Sequence, residues 1–225
     1  MNTLSLTRLR LVRVGIIIAG LGVWFWTQSL IGAKSPPAGS GGIGDAIHEW
    51  TASWNEWLHA HPDAANALLI TSSAGIDALG LFVIGATVFG RSVRPFLGLI
   101  CLFSLRQLCQ MLTSLPPIEG MIWRDTGAPT LLVTYGVSND LFFSGHTALA
   151  VFGTLELARL GKPPLVVLAI LLALFEISAV LVLRAHYTLD VFTGITTALF
   201  VGLIAEKIAA PVDAWLARVC QRSRA

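Results

Sequence analysis

Long apolar stretches alternate with short polar ones along most of the 225-residue chain. Six of the apolar stretches are long enough for a helix to cross the hydrocarbon core of a bilayer, which takes about 20 residues. They lie near residues 11–32, 66–90, 95–115, 141–160, 164–183 and 187–207. The pattern therefore predicts an all-α, polytopic membrane protein with six transmembrane helices.

The first apolar stretch has two interpretations. Arg8, Arg10 and Arg13 precede it, as basic residues precede the core of a cleaved signal peptide. Its apolar part, residues 14–33, is longer than the usual signal-peptide core of about 7–15 residues. The sequence therefore favours a retained membrane anchor over a cleaved signal.

The first outer loop is the longest one, and its second half has helical character. A linker rich in serine, proline and glycine occupies residues 35–42. Apolar residues then recur at helical spacing between residues 47 and 58, among them Trp50, Trp54 and Trp57. Because tryptophan favours the headgroup level of a bilayer, we predict a short interfacial helix on the outer surface. It would either anchor the chain or shape the entry of lipids.

The composition agrees with a lipid environment. Hydrophobic residues make up 55% of the chain and charged residues 12%, about half the charged share of soluble domains. The length suits a single domain over residues 1–225. The formal net charge of +2 does not indicate nucleic-acid binding. We expect membrane lipids as partners and no nucleic acid, and the sequence leaves open whether the chain forms a homo-oligomer.

Lysines and arginines are distributed unevenly between the two sides of the predicted bundle. With the N-terminus inside, the outer segments hold only Lys34, Arg124 and Arg184, and most other basic residues fall in inner segments. Basic residues are enriched in cytoplasmic loops. We therefore predict that both termini are cytoplasmic and that the outer segments face the periplasm or a lumen.

A first polar cluster precedes and opens the fourth predicted helix from the outer side. It begins with Ser-Asn-Asp at residues 138–140, which are good helix-capping types. Ser144, Gly145 and His146 follow in or near the first turns. The N-terminus of a helix offers unpaired N–H groups that suit a phosphate oxygen, and a glycine lets the backbone come close to a ligand.

A second polar cluster, residues 184–190, opens the sixth predicted helix from the same side. His186 and Asp190 are four residues apart, so on a helix they share one face. A carboxylate bonded to one ring nitrogen fixes the tautomer and leaves the other nitrogen as a nucleophile or base. One such histidine alone is more often a buried structural residue. Two histidines and an aspartate at the same outer level of two helices favour a catalytic site.

With these motifs the chain resembles the sphingomyelin synthases, a branch of the type 2 phosphatidic acid phosphatase superfamily. The matching segments are DLFFSGHT at residues 140–147, HYTLDV at residues 186–191 and, more weakly, residues 105–121 around Arg106. The resemblance covers about residues 95–190, and the family-like catalytic core about 95–207. It implies that His186 is a nucleophile forming a phosphohistidine. It also implies that Asp190 orients His186, and that His146 protonates the leaving oxygen and later activates the acceptor.

The candidate substrate-binding residues come from the same motifs: Asp140, Ser144, Gly145, Arg106 and Tyr187. The sequence contains no cluster with metal-ligand spacing, so we expect neither a metal nor a cofactor, and the histidines would supply the acid–base chemistry. The distribution of basic residues predicts that the active site is on the outer, extracytoplasmic side.

The resemblance implies transfer of a phosphocholine or phosphoethanolamine headgroup from a phospholipid to ceramide or diacylglycerol. The alternative enzyme is a lipid phosphatase, in which water is the acceptor. That branch carries an arginine six positions before its nucleophile, where this chain has Val180. A poorer cationic cradle favours a phosphodiester, which carries less charge than a monoester. A third alternative, from another class, is a transporter or a non-catalytic membrane scaffold.

Three charged residues, Asp77, Arg106 and Glu176, fall in the middle of predicted spans. A charged side chain at the bilayer centre costs roughly 2.5–3.5 kcal/mol on insertion scales. Counted from the inner ends of their helices, Arg106 and Glu176 lie at nearly the same depth. We therefore predict an Arg106–Glu176 ion pair that Asp77 can join. The pair would be structural, or Arg106 would reach a phosphate from below the histidines.

Overall fold

A computed structural model of the protein describes residue 26 and residues 43–133, 135 and 141–222. Apart from Trp26, the first predicted span lies outside the described residues, and so does Asp140. The helices below all belong to one compact unit that begins at Asp45.

The described residues form seven α-helices and no strand, which confirms the all-α prediction for this part of the chain. The helices are α1 (Ala46–Trp50), α2 (Ala52–Ala60), α3 (Pro62–Phe89), α4 (Arg94–Leu112), α5 (Gly145–Ala158), α6 (Pro163–Val182) and α7 (Thr188–Arg222).

Four of these helices are long and apolar enough to cross a membrane: α3, α4, α6 and the Thr188–Trp215 part of α7. They correspond to the second, third, fifth and sixth predicted spans. A proline within the first two positions of α3, α4 and α6 fixes where each helix starts, because proline has no N–H to leave unpaired there.

The fourth predicted span is shorter than expected. We predicted it over residues 141–160, whereas α5 covers Gly145–Ala158, 14 residues that rise about 21 Å. The helix is capped by Ser144, whose hydroxyl accepts from the Thr147 N–H at 3.3 Å. Helix α5 packs against α3, α4, α6 and α7, and Leu149 and Phe152 on it are completely buried. It is thus the central helix of the bundle.

The contact between α4 and α5 depends on the absence of a side chain at Gly98. A Cβ at that position would lie 2.2 Å from Cζ of the buried Phe152. We expect Gly98→Ala to lower the free energy of unfolding by about 1–3 kcal/mol, the usual cost of overpacking a core. Gly85→Ala in α3 is the matched control, because a Cβ there meets no atom within 4 Å. Thermal unfolding of both variants in detergent checks this, and equal melting temperatures would contradict it.

The loop between α4 and α5 turns inward and packs within the bundle. The backbone N–H groups of Leu131 and Leu132 donate to the Asp77 carboxylate at 2.8 and 2.9 Å. Val133 and Phe143 are part of the main apolar core. Asp77 therefore binds the backbone of this loop, and this explains a carboxylate in the middle of α3.

The predicted Arg106–Glu176 ion pair is wrong. One Glu176 oxygen accepts from the Ser72 hydroxyl at 2.6 Å, and the other has no hydrogen-bond partner among the residues that the structure describes. Arg106 donates through Nε to the carbonyl of Phe143 at 2.9 Å. The two residues have similar depths but lie on helix faces that point to different neighbours: Glu176 faces α3, and Arg106 faces the start of α5.

The opposite end of the bundle is held together by charged residues. Arg94 on α4 forms a bidentate ion pair with the buried Glu156 on α5. Asp213 on α7 accepts from the Ser92 hydroxyl at 2.5 Å and from the Val93 N–H at 2.9 Å. These contacts join α4, α5 and α7 at the end away from residues 144–146 and 184–190.

The Trp-rich segment forms two short helices, because the chain breaks at Thr51 between α1 and α2. Trp50, Trp54 and Trp57 are exposed, whereas Asn55 and Leu58 are buried against the rest of the unit. The Asn55 amide donates to the carbonyls of Gly120 and Val182 at 3.0 and 2.9 Å. One face of the segment is therefore docked and the aromatic face is free. Its position at a membrane surface stays a prediction.

Candidate active site

His186 lies in the turn between α6 and α7, and its imidazole is buried. Nδ1 lies 2.8 Å from the carbonyl oxygen of Leu141, at the end of the inward loop. Because a carbonyl can only accept a hydrogen bond, Nδ1 must carry the proton of the neutral ring. Nε2 then holds a free lone pair, which is the form that a nucleophile or base requires.

Asp190 does not bond His186 in the way the sequence predicted. Its Oδ2 accepts the Tyr187 N–H at 2.9 Å and lies 3.6 Å from His186 Nδ1, beyond a good hydrogen bond. The carboxylate is completely buried, and its Oδ1 has no hydrogen-bond partner within the described part of the chain. Asp190 is therefore placed to stabilise a positive charge on the ring, while the carbonyl of Leu141 fixes the tautomer.

His146 lies in the first turn of α5, with 8% of its surface exposed. Its imidazole interacts electrostatically with His186 and Arg106. The indole of Trp123 packs edge-on against it, with ring centres 5.3 Å apart. Nε2 is buried without a hydrogen-bond partner in the described ranges. Since buried polar atoms are usually paired, this nitrogen is a candidate to meet a ligand.

The start of α5 is held directly against α7. The Ser144 N–H donates to the carbonyl of Asp190 at 3.1 Å. A Cβ on Gly194 would lie 2.9 Å from the Ser144 carbonyl oxygen, so a glycine is needed for this close approach. The contact brings the two polar clusters of the sequence together, as predicted from their shared outer level.

The guanidinium of Arg106 covers the first residue of α5. A Cβ on Gly145 would lie 3.0 Å from Arg106 Nε and 3.3 Å from its Cζ. A cation from α4 thus lies beside the positive end of the α5 dipole, and both favour an anion at this point. Gly145 and Arg106 are adjacent to His146, and their role in binding a phosphate stays a prediction.

The other predicted substrate-binding residues have structural contacts of their own. The Ser144 hydroxyl caps α5 and donates to Thr147 Oγ1 at 3.0 Å. The Tyr187 hydroxyl donates to the carbonyl of Pro116 at 3.1 Å, which ties the α6–α7 turn to the inward loop. A role for Ser144 or Tyr187 in binding substrate stays a prediction, and Asp140 lies outside the described residues.

Three residues at the site were missed by the sequence analysis: Asp45, His48 and Trp123. The Asp45 carboxylate accepts from Thr188, and His48 lies 3.0 Å from the His186 carbonyl oxygen. The partners of Asp45 and His48 are more than a hundred residues away in the sequence, and Trp123 meets His146 from outside its helix, so no local spacing could indicate these contacts.

A metal centre is not formed by the side chains that the structure places. No group of three or more His, Cys, Asp or Glu residues that could hold a metal ion occurs among the described residues.

Four apolar helices of membrane-spanning length, with two buried histidines at one end of the bundle, define an integral membrane protein with a buried polar site. The chain belongs to the AtPDCT1/2 family, whose pattern its residues 45–207 match. This match includes every described residue of the site.

One characterised relative is phosphatidylcholine:diacylglycerol cholinephosphotransferase 1 of Arabidopsis thaliana, which is 23% identical over 182 residues. The alignment covers 81% of this chain and 57% of the relative, so the chain spans little more than half of that protein's length. No solved structure matches the chain. The resemblance to the sphingomyelin synthase branch stays a prediction.

Proposed function

We propose that the protein is a lipid headgroup phosphotransferase that moves phosphocholine from a phosphatidylcholine to diacylglycerol. The substrate pair is taken from the name of the Arabidopsis relative. The observation that carries the proposal is the tautomer of His186, whose Nδ1–H is bound by the Leu141 carbonyl so that Nε2 keeps its lone pair. Phosphoethanolamine as headgroup and ceramide as acceptor, which the sphingomyelin synthase resemblance implies, belong to the same reaction class.

In the first step, the lone pair of His186 Nε2 attacks the phosphorus of the donor lipid. A P–N bond forms, and the P–O bond to the diacylglycerol oxygen breaks. His146, which can hold a proton once the anionic phosphodiester lies beside it and Arg106, gives that proton to the oxygen, so that a neutral diacylglycerol leaves. The product is a phosphocholine-histidine in which the ring is cationic, and the buried Asp190 carboxylate 3.6 Å from Nδ1 stabilises that charge.

In the second step, the hydroxyl of an acceptor diacylglycerol replaces the leaving group. His146, now neutral, takes the hydroxyl proton as the oxygen attacks phosphorus, and the P–N bond breaks. His186 recovers its lone pair and His146 is protonated again, so each catalytic group returns to its initial state. The two half-reactions are mirror images, which suits a single acid–base histidine.

The phosphoryl oxygens require positive charge in the transition state. The Arg106 guanidinium lies beside Gly145 at the start of α5, where the positive end of the α5 dipole also favours an anion. A phosphodiester carries about one negative charge. The positive charge of one guanidinium and one helix N-terminus is therefore comparable to the charge that must be stabilised.

The site's side of the membrane is part of the proposal. From the distribution of basic residues, both termini are cytoplasmic and His146 and His186 are extracytoplasmic. The exposed Trp50, Trp54 and Trp57 would then lie at the outer headgroup level, next to the site through the contact of α1 with residues 186–188.

The test is a double-label exchange with purified protein in detergent. The donor is phosphatidylcholine with deuterated choline, the acceptor is diacylglycerol with ¹³C-labelled acyl chains, and ceramide is supplied in a parallel reaction. The expected product is a phosphatidylcholine that carries both labels, found by mass spectrometry and missing with His186→Ala. Free deuterated phosphocholine without the double-labelled lipid would instead make water the acceptor. The absence of both products would overturn the proposal.

A further inference from the structure

The turn that carries His186 is hydrogen-bonded by Asp45 and His48, which lie at the N-terminal start of the unit. The Asp45 carboxylate accepts the Thr188 N–H at 2.6 Å and the Thr188 hydroxyl at 2.7 Å. It also accepts the N–H groups of Ile47 and His48 at 3.1 and 3.3 Å. One carboxylate thus caps the starts of α1 and α7 together, and it holds the chain two residues after His186.

His48 holds the same turn at the catalytic residue itself. Its ring is buried, and Nε2 lies 3.0 Å from the carbonyl oxygen of His186. Since that oxygen can only accept, Nε2 of His48 is the donor. The ring also stacks on Tyr187, with centres 5.9 Å apart and planes 28° from parallel. Burial lowers the pKa of His48, against the opposing effect of Asp45, so the ring is neutral near pH 7.

The turn also donates a hydrogen bond back to the segment that contains His48. The Arg184 guanidinium donates to the carbonyl of His48 at 2.7 Å. Arg184 itself has a φ of +56°, in the left-handed region that is uncommon for a residue other than glycine. Such a conformation persists only where the surroundings determine it. His48 supplies part of those surroundings, because it is bonded to residues 184 and 186. Asp45 adds the hydrogen bonds to Thr188 in the same turn.

We infer that Asp45 and His48 are positioning residues that hold residues 184–188 so that the imidazole of His186 stays in its reactive orientation. Only the expected effect on the reaction rate rests on the proposed role of His186. The two side chains bond the backbone directly after the Cα that carries the imidazole, at His186 O and Thr188 N. They act on His186 through its backbone, and neither needs to touch a substrate.

The kinetic test compares His48→Leu with His48→Gln. Leucine removes the donor, whereas the side-chain amide of glutamine restores an N–H at a similar reach. We expect His48→Leu to lower kcat of headgroup transfer by about 10- to 100-fold, the usual effect of losing a supporting hydrogen bond or of a 1 Å misplacement. KM should stay within about twofold, and His48→Gln should recover most of the rate. His61→Leu is the matched control, because the His61 ring contacts Trp57 in its own segment.

Hydrogen exchange separates failure of this inference from failure of the proposed function. We expect the backbone amides of residues 184–190 to exchange faster in His48→Leu and in Asp45→Asn than in the His61→Leu control, whether or not any lipid is turned over. Unchanged exchange in this segment would overturn the inference. Faster exchange with an unchanged kcat in an active protein would also overturn it, because the turn would then be held without any effect on His186.

Discussion

His186→Ala is expected to lower headgroup transfer by about 10⁴-fold or more, as removal of a nucleophile does in other covalent enzymes. The methyl group left by alanine cannot form the P–N bond, and in the proposed mechanism His146 transfers protons and does not attack phosphorus. The fold should survive, because the hydrogen bond from His48 uses the backbone carbonyl of residue 186, and one side-chain hydrogen bond to Leu141 is lost.

The covalent intermediate makes this prediction specific to the mechanism. Wild-type protein given phosphatidylcholine labelled in its choline, with no acceptor, should retain label after rapid quenching in alkali, and acid should release it. His186→Ala should retain none. His59→Ala is the control, because His59 is exposed on α2 and contacts Gly120. Label that persists in His186→Ala would assign the nucleophile to another residue.

His146→Gln should lose about 10²- to 10⁴-fold in kcat with natural lipids, which is the range of general acid–base catalysis. The loss has two parts, since His146 protonates the departing diacylglycerol and deprotonates the incoming one. Glutamine keeps a polar group of similar size beside Trp123 and Arg106, so the variant changes the proton transfer more than the packing.

A change of leaving group separates the two parts. With p-nitrophenyl phosphocholine as donor, the leaving phenolate needs no proton, so His146→Gln should release p-nitrophenol in a first burst at nearly the wild-type rate. The later turnover should be slow, because activation of the acceptor still requires the histidine. His186→Ala should show no burst. An equal loss of burst and turnover in His146→Gln would show that His146 acts by binding rather than by proton transfer.

The membrane helices could be predicted to within a few residues wherever a run of apolar residues ends in proline or in a polar turn. Helices α3, α4 and α6 follow this rule. The start of α5 did not follow this rule, and it was predicted at residue 141 rather than at Gly145. Leu141 and Phe143 are apolar, but they belong to a buried loop that precedes the helix. Hydropathy does not distinguish a side chain buried in protein from one that faces lipid.

The spacing argument for His186 and Asp190 was correct about their proximity and wrong about their bond. Two residues that are four apart in the sequence share a face only on a helix. His186 precedes Thr188, the first residue of α7, so it lies outside the helix. The turn rotates the ring toward Leu141. In the same way, equal depth did not make Arg106 and Glu176 partners, since the rotation of each helix about its axis decides what its side chains meet.

The length of α5 relates the reaction to the bilayer itself. A helix that rises about 21 Å, in a hydrocarbon core about 30 Å thick, brings one of its ends about 9 Å short of the interface when the other end is level with it. His146 is in the first turn of that helix. A phospholipid that reacts there must sink below its neighbours, or the leaflet must thin around the protein. The acyl chains of the surrounding membrane would then change the catalytic rate through the thickness of the bilayer, without any contact between those chains and the histidines.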